Sequence, residues 1–257
     1  MESYPNGPRH KGFYILPNLL TTASLFSGFL GMVWAIDGKF GYAALAILAS
    51  CFLDGMDGAV ARMTRSSSKF GVQFDSLADL VSFGVSPALL VFLWQTHQFG
   101  RLGIAASFLF IACGALRLAR FNVQTSMAPK SFFVGLPIPA AACTLATLVL
   151  FTTVSSFPIS QAILSKGSLL LIYLLSLLMV SKVRYASLKD VEMVRAHPFT
   201  STAAAIMLFG LVASEPRLLG FFFFLGYMIS GPVYTFLVLP LRRGGFLRGL
   251  SARSSRQ

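Results

Sequence analysis

The chain has 257 residues, of which 55% are hydrophobic and only 12% are charged, and its mean hydropathy is +0.72. A soluble domain carries about 25% charged residues, so this chain lacks the charge that would cover a water-facing surface. The composition excludes an ordinary soluble enzyme, a disordered chain and a nucleic-acid-binding protein. It predicts an all-α, polytopic bundle of transmembrane helices.

Runs of nearly uncharged residues predict about eight membrane spans, because a helix needs roughly 20 apolar residues to cross a bilayer. The fourth and sixth runs have only about fifteen uncharged residues, and flanking Arg and Lys side chains that reach the interface would make up the length. In chain order the runs cover residues 13–36, 40–62, 71–95, 102–118, 135–156, 167–181, 197–214 and 218–240.

The distribution of basic residues explains the net charge of +12 and predicts the orientation. With eight spans, seventeen of the 21 Lys and Arg residues lie on one side of the membrane. The remaining four lie on the other side: Lys39, Arg101, Lys166 and Arg217. Because cytoplasmic loops carry the excess of Lys and Arg, we expect both termini in the cytoplasm. A bacterial cytoplasmic (inner) membrane is the expected location.

Four of the nine acidic residues lie at the membrane ends of the second and third spans: Asp54, Asp57, Asp75 and Asp79. On a helix, residues three or four positions apart share a face, so each pair presents two carboxylates together. A polar turn between the spans folds the two pairs back to the same depth. Facing carboxylates repel unless cations lie between them, and oxygen ligands favour Mg²⁺ or Mn²⁺. We therefore expect two divalent cations, which could clamp a phosphoryl group.

Small residues and one arginine accompany the aspartates. The small residues let helices pack closely, and they would equally let the phosphates of a ligand approach the backbone. Arg62 follows Asp54 by two turns. Its side chain could bind pyrophosphate oxygens, or it could anchor the helix end at the cytoplasmic interface. The small residues are Gly55, Gly58, Ala59, Ala61 and Gly71.

The whole segment has a recognisable pattern. It reads Asp54-Gly-Met-Asp57-Gly58-Ala-Val-Ala61-Arg62, then eight residues, Gly71, three residues, Asp75, three residues and Asp79. This resembles, at every fixed position, the signature of the CDP-alcohol phosphotransferase family, DxxDGxxAR-x8-GxxxDxxxD. The resemblance implies that all four aspartates bind a pair of divalent metals, which hold the pyrophosphate of a CDP-linked lipid. It also implies that Asp79 is the general base.

The resemblance extends to the substrate contacts and to the oligomer. It implies that Gly58, Arg62 and Ser68 contact the CDP moiety. In the first span, Pro17-Asn18-Leu-Leu-Thr21 resembles the nucleotide-contacting helix start of the family. Asn18 and Thr21 are therefore expected to bind CDP-diacylglycerol, although such residues near a helix start also serve as caps. The family resemblance implies a homodimer, for which Gly28 and Gly31 offer a surface of small residues.

Further motifs indicate the acceptor alcohol. Ser76-Leu-Ala-Asp79-Leu-Val-Ser-Phe-Gly84 and Gly114-Ala-Leu-Arg117-Leu-Ala-Arg120-Phe-Asn122 resemble the phosphatidylserine synthase branch. This implies transfer of the phosphatidyl group of CDP-diacylglycerol to L-serine, giving phosphatidylserine and CMP. Arg117 and Arg120 could bind the serine carboxylate, with hydrogen bonds from Asn122. Anchoring at the cytoplasmic interface explains both arginines equally well.

We expect a single integral membrane domain over residues 1–257. Within it, residues 12–142 would carry the catalytic helices, residues 143–240 additional spans and residues 241–257 a basic cytoplasmic tail. The expected partners are CDP-diacylglycerol, L-serine and membrane lipids, with no nucleic acid.

Two alternatives stay open. The first keeps the chemistry and changes the acceptor to glycerol 3-phosphate, inositol phosphate or choline, and a phosphorylated acceptor would need a denser basic pocket. The second is a divalent-cation transporter, because intramembrane carboxylates also line ion pathways. Transport sites usually lie near the bilayer midplane, whereas these aspartates are expected at one cytoplasmic edge.

Overall fold

The structure is a computed structural model, and it describes residues 15–64, 68–124, 132–154, 160–186 and 216–238. Within these ranges six helices are long and apolar enough to cross a membrane, and Ile138–Thr153 forms a shorter apolar helix. The predicted span at 197–214 lies outside the described residues. The prediction of a polytopic helical membrane protein is confirmed.

Eight α-helices make up most of the described residues. Two π-helical segments continue helices of the bundle: Leu80–Val85 joins α3 to α4, and Tyr234–Val238 follows α8. A 3₁₀ turn at Thr96–Phe99 precedes α5. The α-helices are α1 Ile15–Ile36, α2 Phe40–Thr64, α3 Lys69–Asp79, α4 Ser86–Trp94, α5 Arg101–Gln124, α6 Ile138–Val154, α7 Gln161–Val180 and α8 Pro216–Val233.

Helices α5 and α7 are longer than the uncharged runs from which they were predicted. They have 24 and 20 residues, so both can cross a bilayer without help from flanking side chains. Helix α5 continues through Arg117 and Arg120, and α7 includes Lys166 in its second turn. A charged residue ends an apolar run but not a helix, because Arg and Lys are good helix formers whose long side chains reach the interface.

The centre of the bundle is α6. Ala141, Ala142, Leu145, Ala146 and Val149 have no exposed surface, because α6 packs against α2, α4 and α8. A helix enclosed in this way needs no apolar face toward lipid, and 17 residues suffice for it. The catalytic part and the later spans therefore share one core.

The third span changes its helical pitch in the middle. Pro87 is near the start of α4, where it has no N–H to donate to a carbonyl of the preceding turn. The π-helical turn just before it widens the helix, and this turn buries Ser82, Phe83 and Gly84. The span therefore packs tightly against α1 directly after Asp79.

Two glycines of α1 make this packing possible. A Cβ at Gly28 would lie 2.5 Å from Ser82 Oγ, and a Cβ at Gly31 would lie 2.9 Å from Ser86 Oγ. Both glycines are buried by helices of their own chain. The prediction that they form a dimer surface is therefore wrong, because close packing within the protomer already uses them.

Serine hydroxyls join α1 to α2 inside the bundle. Ser24 Oγ lies 2.8 Å from Ser50 Oγ, and Ser50 Oγ also donates to the Ser24 carbonyl at 2.9 Å. Ser27 Oγ donates to the Ala46 carbonyl at 2.8 Å. Such bonds between buried hydroxyls and backbone carbonyls hold transmembrane helices in a defined register.

Two short strands tie the ends of α5 and α7 together. β1 (Phe132–Val134) pairs antiparallel with β2 (Arg184–Ala186). Gly135 follows β1 with φ of 83°, and a Cβ there would overlap the Met179 carbonyl. Glycine is required at this turn because its backbone adopts a left-handed conformation in a crowded place.

Candidate active site

Three of the four signature aspartates converge at one end of the bundle. One carboxylate oxygen from each of Asp54, Asp75 and Asp79 lies within 4.8 Å of the other two. Asp54 comes from the second half of α2, and the other two come from α3, one turn apart. The Asp54 and Asp79 carboxyl groups are in hydrogen-bond contact. Two carboxylates approach so closely only when a proton or a cation lies between them.

Asp57 has a different environment. Its side chain is 6% exposed, and its carboxylate accepts a hydrogen bond from the hydroxyl of Thr21 on α1. It is not part of the group of three close carboxylates. Thr21 was predicted to bind the nucleotide, and the structure places its hydroxyl against this aspartate instead of leaving it free to face a ligand.

A cavity of about 190 Å³ opens between α1, α2 and α3. All four aspartates line it, together with four residues that the motif resemblance implied as substrate contacts: Asn18, Thr21, Gly58 and Ser68. Arg62 lies in the last turn of α2, and its side chain is outside the described part of the structure. Pro17, Gly71 and Val72 complete the wall.

The start of α3 forms one wall of this cavity. Ser68 is the N-cap residue, and its Oγ accepts a hydrogen bond of 2.9 Å from the Gly71 backbone N–H. Gly71 leaves space there, because a Cβ would lie 3.1 Å from Ser68 Oγ and 3.5 Å from Asn18 Oδ1. The absence of this side chain keeps the helix start open toward α1.

The three residues predicted to bind serine lie near the end of α5, and each has different surroundings. Arg117 is largely buried and lies within electrostatic range of Asp79. Among the described residues its Nε has no hydrogen-bond partner. Arg120 Nη1 donates to the Val180 carbonyl at 3.1 Å, at the end of α7. Asn122 Nδ2 donates to Ser76 Oγ at 3.0 Å, beside Asp75.

The carboxylate cluster fits a hard divalent cation. Its donors are carboxylate oxygens from three residues, which is the ligand chemistry that Mg²⁺ and Mn²⁺ prefer over thiolate or imidazole. The mutual repulsion of these groups would be relieved by positive charge between them. Asp54, Asp75 and Asp79 could hold such an ion, with Asp57 at the edge of the same cavity.

Sequence reasoning missed two side chains near this site. Ser76 follows Asp75 and connects α3 to α5 through Asn122. Tyr227 of α8 lies within electrostatic range of Arg117. No spacing pattern could have indicated Tyr227, because it comes from a span far along the chain and only the packing of the bundle brings it near.

Comparison with known proteins gives a family and several curated relatives. The family model of the CDP-alcohol phosphatidyltransferases matches residues 14–178. A CDP-diacylglycerol–serine O-phosphatidyltransferase of Helicobacter pylori is 43% identical over 179 residues, which are 70% of this chain and 75% of the relative. The enzyme of the same name from Bacillus subtilis is 33% identical over 68% of this chain and 91% of its own.

An archaeal relative is also similar. The archaetidylserine synthase of Methanothermobacter thermautotrophicus is 35% identical over 182 residues, which are 70% of this chain and 73% of the relative. The family match covers α1 to α7 nearly completely, including every residue of the cavity described above. On this evidence, the chain belongs to the CDP-alcohol phosphatidyltransferase family.

Proposed function

We propose that this protein transfers the phosphatidyl group of CDP-diacylglycerol to L-serine, giving phosphatidylserine and CMP. The observation that carries the proposal is the cavity lined by four aspartates, with Arg117 of α5 within electrostatic range of Asp79. The names of the bacterial relatives support serine as the acceptor. The family match favours this enzyme over a divalent-cation transporter.

The aspartates and the cavity wall would hold the CDP end of the lipid. Asp54, Asp57, Asp75 and Asp79 would bind two divalent cations, Mg²⁺ or Mn²⁺. When bound, these ions would neutralise charge on the pyrophosphate and on the departing CMP. Gly58 and Gly71 leave room for phosphate oxygens near the backbone. The side chains that would contact the nucleotide are Asn18, Ser68 and Arg62, with Thr21 acting through Asp57.

Asp79 is the residue that we assign as general base. Its carboxylate would accept the proton of the serine hydroxyl as the hydroxyl oxygen forms a bond to the phosphorus that bears diacylglycerol. The bond between this phosphorus and the CMP oxygen breaks in the same displacement. Asp79 suits this role because it belongs to the carboxylate cluster and lies within electrostatic range of Arg117.

Among the three residues expected at serine, Arg117 is the best placed to bind the carboxylate. It is largely buried within electrostatic range of Asp79, and its Nε has no hydrogen-bond partner among the described residues. A guanidinium binds a carboxylate through two parallel hydrogen bonds. Arg120 and Asn122 already bind Val180 and Ser76, so we assign them to shaping the serine pocket.

The charge distribution supports a cytoplasmic location of the site. We propose that the aspartate end of the bundle faces the cytoplasm of a bacterial inner membrane, and that the protein acts as a homodimer. The loop charges support the orientation, because seventeen of the 21 basic residues are on that side under the eight-span topology.

The proposal is tested by measuring CMP release from the purified protein and CDP-diacylglycerol with a panel of acceptors. Serine, glycerol 3-phosphate, inositol phosphate and choline are compared at equal concentration, and lipid products are identified by mass spectrometry. We expect CMP release and phosphatidylserine with serine alone. A faster reaction with any other alcohol would overturn the assignment of the acceptor.

A further inference from the structure

Arg117 depends on its neighbours for its orientation. It lies two turns before the end of α5, and its buried Nε has no hydrogen-bond partner among the described residues. Two groups from other elements lie within electrostatic range of its guanidinium: the Asp79 carboxylate at the end of α3 and the phenol of Tyr227 on α8. An arginine binds a carboxylate with two bonds only when its guanidinium plane is held in one orientation.

The packing of α8 brings Tyr227 to this position. The beginning of α8 contacts the second half of α6, because a Cβ at Gly220 would lie 3.4 Å from Thr147. Its later residues Met228 and Gly231 contact Tyr185 of β2, which pairs with β1 just before α6, so the two helices run antiparallel. Tyr227, two turns after Gly220, is therefore level with the first two turns of α6.

The start of α6 is also where α5 approaches. A Cβ at Gly114 would lie 2.6 Å from Ile138 Cδ1 at the start of α6. Arg117 follows Gly114 by one turn on the same face of α5. Helices α5 and α8 thus both lie near the start of α6, at the same end of the bundle as the aspartates.

A second tyrosine supports the ring of Tyr227. The ring centroids of Tyr185 and Tyr227 are 5.5 Å apart, with an angle of 37° between the planes. Tyr185 is fully buried, and its hydroxyl donates to the Met228 carbonyl at 3.2 Å. Burial raises the pKa of Tyr185 further above neutral pH, and its protonated hydroxyl is the donor in this bond. Gly231 leaves the space that the Tyr185 ring occupies.

We propose that Tyr227 is a positioning residue for the acceptor alcohol, whose phenol oxygen orients the Arg117 guanidinium toward the serine carboxylate. This inference rests on the proposed function. It assigns a role in substrate recognition to α8, which lies beyond the residues 14–178 matched by the family model. The neighbouring Tyr185 has a different task, because its hydroxyl is already bound to the backbone of α8.

The pair of tyrosines allows a matched experiment on the full-length protein. Tyr227→Phe keeps the ring contact and removes only the hydroxyl, whereas Tyr185→Phe removes the hydroxyl that binds Met228. Initial rates of CMP release are measured with serine varied at saturating CDP-diacylglycerol, and then with the lipid varied at saturating serine. Thermal unfolding in detergent is recorded for each variant.

We expect Tyr227→Phe to raise KM for serine about three- to tenfold, since the phenol oxygen that would orient the charged guanidinium is lost. KM for CDP-diacylglycerol and the unfolding temperature should stay unchanged. Tyr185→Phe should lower the unfolding temperature and leave KM for serine unchanged. In an Arg117→Lys background, Tyr227→Phe should change KM for serine by less than about twofold, because the two residues act through one contact.

The possible outcomes separate the inference from the function. An active wild-type protein with unchanged KM for serine in Tyr227→Phe overturns the inference alone. Equal increases in KM for serine in Tyr227→Phe and Tyr185→Phe also overturn it, because they would indicate a general loosening of α8. The inference is likewise overturned if Tyr227→Phe raises KM for serine in the Arg117→Lys background as much as it does in the wild type. A wild-type protein without serine-dependent CMP release overturns the proposed function, and the inference with it.

Discussion

Thr21 shows how one hydroxyl can organise a charged site. It lies on α1, and its hydroxyl donates to the Asp57 carboxylate across the gap between α1 and α2. Asp57 is nearly buried, so this bond compensates part of the lost hydration of the carboxylate. The bond also orients Asp57 in the cavity that it shares with the three clustered aspartates.

Removing this bond should weaken the reaction without unfolding the protein. Thr21→Val keeps the shape of the side chain and leaves a buried carboxylate without its donor, which costs about 1–3 kcal/mol. We expect activity to fall about 10- to 100-fold, with a higher concentration of Mg²⁺ or Mn²⁺ needed for half-maximal rate. Thr21→Ser keeps the hydroxyl and should stay within a few-fold of the wild type. Equal activity of the two variants would contradict the role of Thr21.

The clustered carboxylates should be essential, and the reaction should require a divalent cation. Asp54→Asn and Asp75→Asn each remove negative charge from a group of three oxygens within 4.8 Å of one another. We expect CMP release to fall by a factor on the order of 1,000 in either variant. Asp37→Asn is the matched control, because Asp37 is exposed and forms a surface ion pair with Lys39 at 3.4 Å. Full turnover in excess chelator would exclude the metal site.

At the scale of the elements, the contact between α1 and the third span positions Asp79. The π-helical turn begins at Leu80, directly after this aspartate, and packs on α1. Ser82 Oγ donates to the Ser24 carbonyl at 3.3 Å, so hydrogen bonds support the same contact. π-helical turns occur frequently at functional sites because they redirect the side chains beside them.

Gly28 is the position at which this contact can be tested. A Cβ there would lie 2.7 Å from the Ser82 Cα and 2.8 Å from its Cβ, so the backbone of the third span would have to move. We expect Gly28→Ala to destabilise the protein by about 1–3 kcal/mol and to reduce activity. Gly167→Ala on α7 is the control, since nothing lies within 4 Å of a Cβ there. Thermal unfolding in detergent measures both, and equal unfolding temperatures would contradict the packing.

At the scale of the whole molecule, one end of the bundle contains the residues to which we assign the reaction. The starts of α1, α3 and α6 meet the ends of α2, α5, α7 and α8 there, and β1 with β2 joins two of the connections. Arg120 adds a bond between α5 and the end of α7. The later helices therefore pack around the helices that carry the aspartates, and α6 fills the space between α2 and α8.

The orientation in the membrane is a prediction about the complete chain. With eight spans and an excess of basic residues on the aspartate side, both termini should face the cytoplasm. A reporter that is active only in the cytoplasm, fused after Gln257, should be active, and one that is active only outside the membrane should not. The opposite pattern would mean an odd number of spans. A reporter fused in the connection at Asp37 and Gly38 serves as the control with opposite expectation.

Much of the fold and of the site could be predicted from the sequence. Hydropathy determines which segments cross the membrane, because each span must satisfy its backbone within apolar surroundings. The fixed spacing of the signature determines that Asp54 and Asp57 share a face of α2, and that Asp75 and Asp79 share a face of α3. These are local consequences of helical geometry, and they suffice to identify the family and the expected chemistry.

The contacts between helices were decided only by the tertiary structure. It groups three aspartates and bonds the Thr21 hydroxyl to the fourth. It also bonds Arg120, but not the Nε of Arg117, to a neighbouring helix, and it buries Gly28 inside the protomer. Such contacts depend on the depth and rotation of each helix, which follow from the packing of the whole bundle. Sequence spacing specifies a face of one helix, but it does not specify which residue of another helix that face will meet.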